Sequence, residues 1–235
     1  MRHAGNQPYF FPYLGYFSLI KHTEHWVVAD NTQFIKGGWI DRNRILKPNN
    51  GWQYIQAPLI KASHRLPINA RKIRNEEAWQ EKIFRQLEHY KKKAPHYKTV
   101  IDLLKQVFDV KTDSIVELDI KGLKVVCQYL DIPFQYEYLS NIQINRENIH
   151  DSDELALEMT KALGADEYWN LPSGRFFYDR SKFEKNHISI KFLIVNLRPY
   201  EQRRKDFEPG LSIIDVMMFN SPETINEMLD DYELE

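Results

Sequence analysis

Asn6-Gln7-Pro8-Tyr9-Phe10-Phe11-Pro12-Tyr13-Leu14-Gly15-Tyr16-Phe17 leads through a short amphipathic stretch into Trp26-Val27-Val28-Ala29-Asp30. Pro8 and Pro12 preset φ and remove backbone donors, Gly15 permits close backbone approach, and aromatic rings crowd around them. The segment therefore reads as a rigid loop shaped around something rather than as packing alone. Arg2-Gly5 before it predicts a first strand, Leu14-His22 a short helix burying Leu14, Phe17 and Leu19-Ile20, and Trp26-Ala29 a second strand. Strand, helix and strand at this spacing favour a right-handed crossover and a parallel pair. The expected fold class is α/β, an open, mostly parallel sheet with flanking helices.

Working outward, Phe34 to Pro67 contains Gly37-Gly38, Pro48-Asn49-Asn50-Gly51 and Pro58, turn signals around a strand at Gln53-Ala57, and reads as loop-rich and exposed. Trp79, Ile83, Gln86, Leu87 and Tyr90 recur at helical spacing until Ala94-Pro95. Val100, Leu103, Leu104 and Val107 predict a second helix, and Ile115, Leu118, Leu123, Val126 and Leu130 a third that stops at Asp131-Ile132-Pro133. The section from about 76 to 131 is thus helical. Beyond it come a strand at Phe134-Tyr138, a helix capped by Asp151-Ser152-Asp153 and ended at Gly164, a strand near Tyr168-Trp169, a turn at Pro172-Ser173-Gly174-Arg175, a strand at Ile188-Leu193 and a last helix from Ser221-Pro222. No linker, repeat or low-complexity segment divides the chain, so one domain over residues 1–235 is expected.

The 235 residues are 43% hydrophobic and 28% charged, with 32 basic against 33 acidic side chains. This balance gives no reason to expect wholesale nucleic-acid or membrane binding, and any basic site must be local. Cys127 is the only cysteine; it lies in a helical stretch where a buried, inert thiol is expected, and a cytoplasmic protein fits best. No run is long enough for membrane insertion, and Asn6, Gln7 and Pro8 interrupt any apolar leader. His22 and His25 have no nearby Cys or His to complete a metal site, so no metal ligands are nominated among the histidines, while Asp30 at a strand end could hold a magnesium ion. Glycine-rich phosphate loops, dinucleotide fingerprints and nucleophile elbows are missing, which removes support for P-loop kinases, dinucleotide oxidoreductases and serine hydrolases. The sequence does not identify a cofactor.

Gln7-Pro8-x-x-Phe11-Pro12-x-Leu14-Gly15-Tyr16-Phe17 is followed by Asp30-x-x-Gln33-x-x-Lys36-x-x-Trp39-Ile40-x-Arg42-Asn43-Arg44-Ile45. Later come Pro67-Ile68-Asn69, Lys93-Ala94-Pro95, Leu163-Gly164-Ala165-Asp166, Ser173-Gly174-Arg175, Tyr200-x-Gln202, Phe207-x-Pro209, Leu211-Ser212-Ile213-Ile214-Asp215 and Phe219-Asn220. On these motifs, spread over nearly the whole chain, the sequence resembles the WbqC-like family of bacterial proteins. The resemblance implies a place in O-antigen or other surface-polysaccharide biosynthesis, and a glycine or other acyl transfer to an amino sugar. One departure stands out: the family usually has His before the Gln-Pro pair, where this chain has Asn6. His3, three positions back on a strand, would face the other way and is no simple substitute.

The matched residues suggest chemistry. Lys36, Arg42 and Arg44 with Asn43 and Trp39 offer guanidinium forks, an ammonium, an amide and an indole, a set suited to a phosphate and a flat ring. The alternative is a solvated basic turn over a packed Trp39. Asp30 and Gln33 flank the end of the second strand, where open α/β sheets collect ligands, although an Asp there also caps turns. Ser173 and Arg175 could make a small anion-binding turn, and Tyr200 and Gln202 a second ligand wall or, with Asp215, a buried hydrogen-bond network. The transferase reading places Asp30, Gln33 and Asn6 at the reacting amine. Gln7, Tyr9, Tyr16, Lys36, Trp39, Arg42, Asn43, Arg44, Ser173, Arg175, Tyr200 and Gln202 then hold the substrate. The expected partners are a nucleotide-linked amino sugar and an acyl or aminoacyl donor or its carrier. A noncatalytic binder of the same ligands is the alternative, and an adaptor using the aromatic opening as a partner surface a third. The opening is also similar to that of nucleotidylyltransferase-like α/β proteins, but Tyr13-Leu14-Gly15-Tyr16 lacks the histidines of their phosphate loop.

Overall fold

In the computed structural model, which describes residues 1–63, 65–147 and 149–235, strand β1 (Arg2–Asn6) occupies the middle of a six-stranded sheet. Helix α1 (Leu14–Lys21) connects it to β2 (His25–Val28), and the two strands pair in parallel with Ala4 opposite Trp26. The remaining parallel strands are β5 (Tyr136–Tyr138), β6 (Glu167–Asn170) and β7 (Ser189–Val195), and the spatial order is β5-β2-β1-β6-β7. A short antiparallel edge strand, β8 (Tyr232–Leu234), pairs with β7 and was not foreseen from sequence. The fold is α/β with a mostly parallel sheet, as the opening stretch implies.

Alternation along the strands builds two cores. Ala4, Trp26, Val28, Trp169, Leu193 and Val195 face the larger one, which includes apolar residues of α1. Val27, Tyr168, Ile190 and Phe192 face the other, covered by α5 (Ser152–Ala162) and α6 (Arg180–Glu184). A central strand is covered on both faces, which is why β1 is buried from His3 to Gly5 although its sequence is not apolar throughout. His3 lies on the α5 side, its Nε2 2.8 Å from Thr160 Oγ1, and burial drives its pKa down to about 3. This neutral, buried imidazole does not stand in for a catalytic one.

Between β2 and β5 the chain leaves the sheet. Strands β3 (Arg42–Leu46) and β4 (Trp52–Gln56) form a separate antiparallel hairpin, followed by α2 (Trp79–Leu87), α3 (Tyr97–Phe108) and α4 (Ile115–Tyr129). The helical middle matches its periodicity. In the preceding stretch the strand expected at Gln53-Ala57 is β4, but β3 does not match its reading as exposed loop: Asn43, Ile45 and Ile55 are buried and Arg42 and Arg44 lie on the outer face, an alternation hidden by the charges. Cys127 is buried in α4 and its thiol is pushed up to about 12 by burial. After β7, an irregular segment from 196 to 212 leads into α7 (Ile213–Phe219) and α8 (Pro222–Asp230). No helix among the described residues is long and apolar enough to cross a membrane.

Candidate functional site

The chain builds outward from β1 to β2 and β5, then returns to place β6 on the other side of β1. Neighbouring connections diverge at such a reversal, leaving a crevice beyond the carboxyl ends of the two strands. A cleft of about 340 Å³ occupies this region, lined by Tyr9, Pro12 and Tyr13 after β1, by Leu171, Pro172 and Ser173 after β6, by Trp39, Asn43 and Arg44 of the hairpin side, and by Leu197 and Gly210.

Each wall has a local cause. Phe11 adopts φ 43°, in the left-handed region that a side chain occupies at a cost, and the turn is held from outside. Asn43 Nδ2 donates to the carbonyls of Phe10 and Phe11 at 3.1 and 3.0 Å, and Ser212 Oγ donates to the Phe11 carbonyl at 2.7 Å. The Tyr13 side chain folds back over the first turn of α1; a Cβ on residue 15 would sit 2.5 Å from its hydroxyl, so glycine is needed there. Burial raises the pKa of both Tyr9 and Tyr13, the latter to about 12, which keeps both phenols protonated as donors at neutral pH.

Arg44 supplies the charge. Its guanidinium lies 5.4 Å from the Trp39 ring centroid and 5.2 Å from that of Trp52, and Nη2 donates to the Gly210 carbonyl at 3.0 Å. Nε is buried without a partner among the described residues. A cation held between two indoles is partly desolvated and preorganised, conditions that strengthen its pull on an anion. Among the described residues lining the cleft, Arg44 carries the only ionised group, and no carboxylate, imidazole or amine lines it.

The residues nominated from sequence divide. Tyr9, Trp39, Asn43, Arg44 and Ser173 meet in the cleft. Tyr16 does not; it is fully buried against Trp26, and its hydroxyl donates to the Gln7 carbonyl at 2.8 Å. Gln7 Nε2 bonds Thr32 Oγ1 and the Gln33 carbonyl, both at 3.1 Å, while Asn6 Oδ1 accepts from Gln7 N at 2.9 Å. Asp30 is buried, its two oxygens accepting from Asn69 Nδ2 at 3.1 Å and Ser140 N at 3.0 Å, so it ties the loops after β2 and β5 together. Lys36 and Gln33 are exposed and line no part of the cleft. Arg42 turns away to stack 4.2 Å from Tyr54 and to bond the Gly37 and Gly38 carbonyls. Arg175 pairs with Glu235 at 2.8 Å. Tyr200 and Gln202 belong to another cluster: both donate to Asp215, whose second oxygen accepts from Tyr90.

Pro12, Tyr13, Leu171, Pro172, Leu197 and Gly210 complete the cleft without having been singled out. Pro12 and Tyr13 sit in the opening motif, and Pro172 beside Ser173, so adjacency to matched residues was the available signal. Leu197 and Gly210 carry none.

The matched motifs at the cleft agree with a wider comparison, in which the WbqC-like protein family matches residues 7–227. The chain belongs to the WbqC-like family. An uncharacterized protein of Mycobacterium tuberculosis is 28% identical over 217 residues, 91% of each chain. No solved structure matches the chain. The likeness of its opening to nucleotidylyltransferase-like proteins therefore remains one of strand, turn, helix and strand.

Proposed function

We propose that this WbqC-like protein binds a nucleotide-linked amino sugar in the switch-point cleft and serves an acyl or aminoacyl transfer, such as that of glycine, to the sugar amine in surface-polysaccharide biosynthesis. The observation carrying the reading is Arg44, clamped between Trp39 and Trp52 at the edge of a cavity of about 340 Å³ with tyrosine and serine hydroxyls on its other walls. Arg44 suits a phosphate, the indoles and phenols suit a ring, and the hydroxyls suit sugar oxygens. The volume accommodates part of a nucleotide-sugar at a time, so one end of the ligand would extend beyond the cleft.

Amide formation would join the sugar amine to an activated acyl carbon, break the bond to an adenylate or carrier thioester, and release the amine proton. Here a second reading gains weight: among the described residues no side chain lining the cleft is equipped to accept that proton, and Asp30 is engaged by Asn69 and Ser140. A noncatalytic binder or carrier of the nucleotide-sugar requires no such group. Calorimetric titration with a panel of nucleotide-linked amino sugars tests the shared claim, with a saturable binding event that is lost in Arg44→Ala as the expected result, whatever binding elsewhere on the molecule remains. Incubation with ATP, glycine or acyl carriers and mass spectrometry then separates the readings: an acylated sugar supports transfer, and unchanged sugar despite binding supports the carrier role. Absence of binding across the panel would sink both.

A further inference from the structure

Outside the cleft, two adjoining depressions share Lys93. Lys47, His89, Lys93 and Arg204 contribute to the first, whose floor includes Tyr90 and Gln202. The second is an open cavity of about 430 Å³ lined by Lys91, Lys92, Lys93, Ala94, Pro95 and Arg203. Among the described residues no carboxylate lines either, although the chain as a whole carries a net charge of −1. The cations are thus gathered rather than interspersed, and such a concave cluster focuses positive potential on an incoming anion.

The geometry is built. Arg203 stands at φ 53°, and its backbone N–H donates to Glu201 Oε1 at 2.8 Å; beneath the first depression, Asp215 accepts from Tyr90 and Gln202. Arg204 is fixed by hydrogen bonds to the Gly51 and Asn49 carbonyls at 3.1 and 3.2 Å and to Asn50 Oδ1 at 2.9 Å, which draws the β3–β4 turn, and Lys47 with it, toward the site. His89 stacks on Tyr90 at 4.2 Å and bonds the Leu46 carbonyl at 3.0 Å. Its pKa is lowered chiefly by burial, with Lys93 and Arg204 adding to the effect, a sign of the local positive field. Lys47, Lys91, Lys92 and Lys93 are exposed, so their ammonium groups can close on a ligand from several sides.

We infer that this pair of depressions is a second anion site, distinct from the Arg44 cleft, that takes a ligand bearing two linked phosphoryl groups, one within the open cavity on Lys91, Lys92 and Arg203 and the other resting over the mouth of the first depression, whose volume of about 10 Å³ does not enclose it, on Lys47, Lys93 and Arg204. The shared chemistry is a diphosphate, free or on a nucleoside. The test is titration of the full chain with inorganic pyrophosphate and, separately, with a nucleoside diphosphate, each at fixed ionic strength maintained with chloride. Saturable pyrophosphate binding is expected, weakened at least tenfold in the Lys47→Ala, Lys93→Ala double variant and unchanged in Arg44→Ala. Both substituted lysines are exposed, so circular dichroism and melting of the double variant should match the parent. Equal affinity for the two ligands assigns recognition to the diphosphate alone, and tighter binding of the nucleoside form, still lost in the double variant, adds a nucleoside contact to the same site. No saturable binding of either ligand, retention of affinity in the double variant, or loss in Arg44→Ala would overturn the assignment.

Discussion

The Arg44 cleft and the Asp215 cluster are both polar groups set among aromatic rings, and both draw on motifs matched to the family, yet they do opposite things with their hydrogen bonds. Around Asp215 the carboxylate is saturated by Tyr90, Tyr200 and Gln202, and Gln202 also exchanges bonds with the backbone of Glu208 at 3.0 and 2.8 Å. Arg44, which lines the cleft, has a buried Nε without a partner among the described residues. Satisfied polar groups hold a fold together, whereas preorganised unsatisfied ones await a ligand. Polarity inside an apolar motif does not distinguish these roles; the accounting of partners does so only together with position at a cleft, since Arg2, Arg71, Trp26 and Asp119 also bury polar atoms without a partner among the described residues, away from it.

The contrast predicts where stability and affinity separate. The largest effect on stability is expected from Asp215→Ala, which leaves two buried phenols and an amide without their acceptor and should cost about 4 kcal/mol in urea unfolding. Arg44→Ala should cost about 1 kcal/mol, from the Gly210 bond and the indole contacts, while removing ligand affinity. Equal destabilisation by the two would erase the distinction drawn between them.

A pH series sharpens the same contrast. Burial raises the Asp215 carboxyl to about 6, against the downward pull of Tyr200, Tyr90, Gln202 and Arg204. Because the folded value lies above the unfolded one, the native state holds this proton more tightly. The associated stability is complete at low pH and fades as pH rises toward 6 and above. His3, depressed to about 3 by burial, has the opposite slope, losing stability as pH falls below the unfolded imidazole value. Only the difference between parent and Asp215→Asn isolates the carboxyl. The parent's advantage over that variant should shrink by about 2 kcal/mol from pH 4.5 to pH 7. A constant difference would show that Asp215 does not titrate in this window.

Asn43 links the site to its scaffold. Removing its two donors to the Phe10 and Phe11 carbonyls should destabilise the chain by about 2 kcal/mol and also weaken ligand binding, since those bonds hold the left-handed Phe11 turn. Urea unfolding and titration of Asn43→Ala measure both effects. A full loss of stability with unchanged affinity would mean that the turn does not shape the cleft.

How much of this was legible depends on whether the deciding contacts are local. The β1-α1-β2 unit follows from apolar strands and a proline-glycine loop, all within the first thirty residues, and the helical middle follows from its spacing. Strand β3 was hidden because Arg42 and Arg44 present charges on the outer face of a hairpin, where Tyr54 and Trp52 from the facing strand cover them. The partner accounting was also out of reach: Asp30 is engaged by Asn69 and Ser140, the latter 110 residues away, and Arg44 reaches Gly210 across 166. Sequence therefore nominated polar residues of the right kinds without dividing those facing the cleft from those holding the loops. The spread of the opening aromatic motif over scaffold and cleft is the clearest instance.

That motif allows the finest test, because Tyr13 and Tyr16 lie three residues apart and differ in one respect. The Tyr16 hydroxyl is spent on the Gln7 carbonyl at 2.8 Å inside the core. Tyr13 lines the cleft, and burial and nearby Tyr9, rather than a hydrogen bond, account for its raised pKa. Tyr16→Phe should therefore cost about 1 kcal/mol of stability while leaving intrinsic affinity nearly unchanged. Tyr13→Phe should leave unfolding within about 0.5 kcal/mol of the parent and reduce affinity for the nucleotide-linked sugar roughly three-fold, the loss of one neutral hydrogen bond to a ligand. Gly15→Ala is the control: it leaves both hydroxyls in place but drives a Cβ into the Tyr13 ring, so it should weaken binding more than removal of the hydroxyl does. If Gly15→Ala binds as well as the parent, the Tyr13 ring is not positioned by the helix start, and the cleft wall assigned to it loses its physical basis.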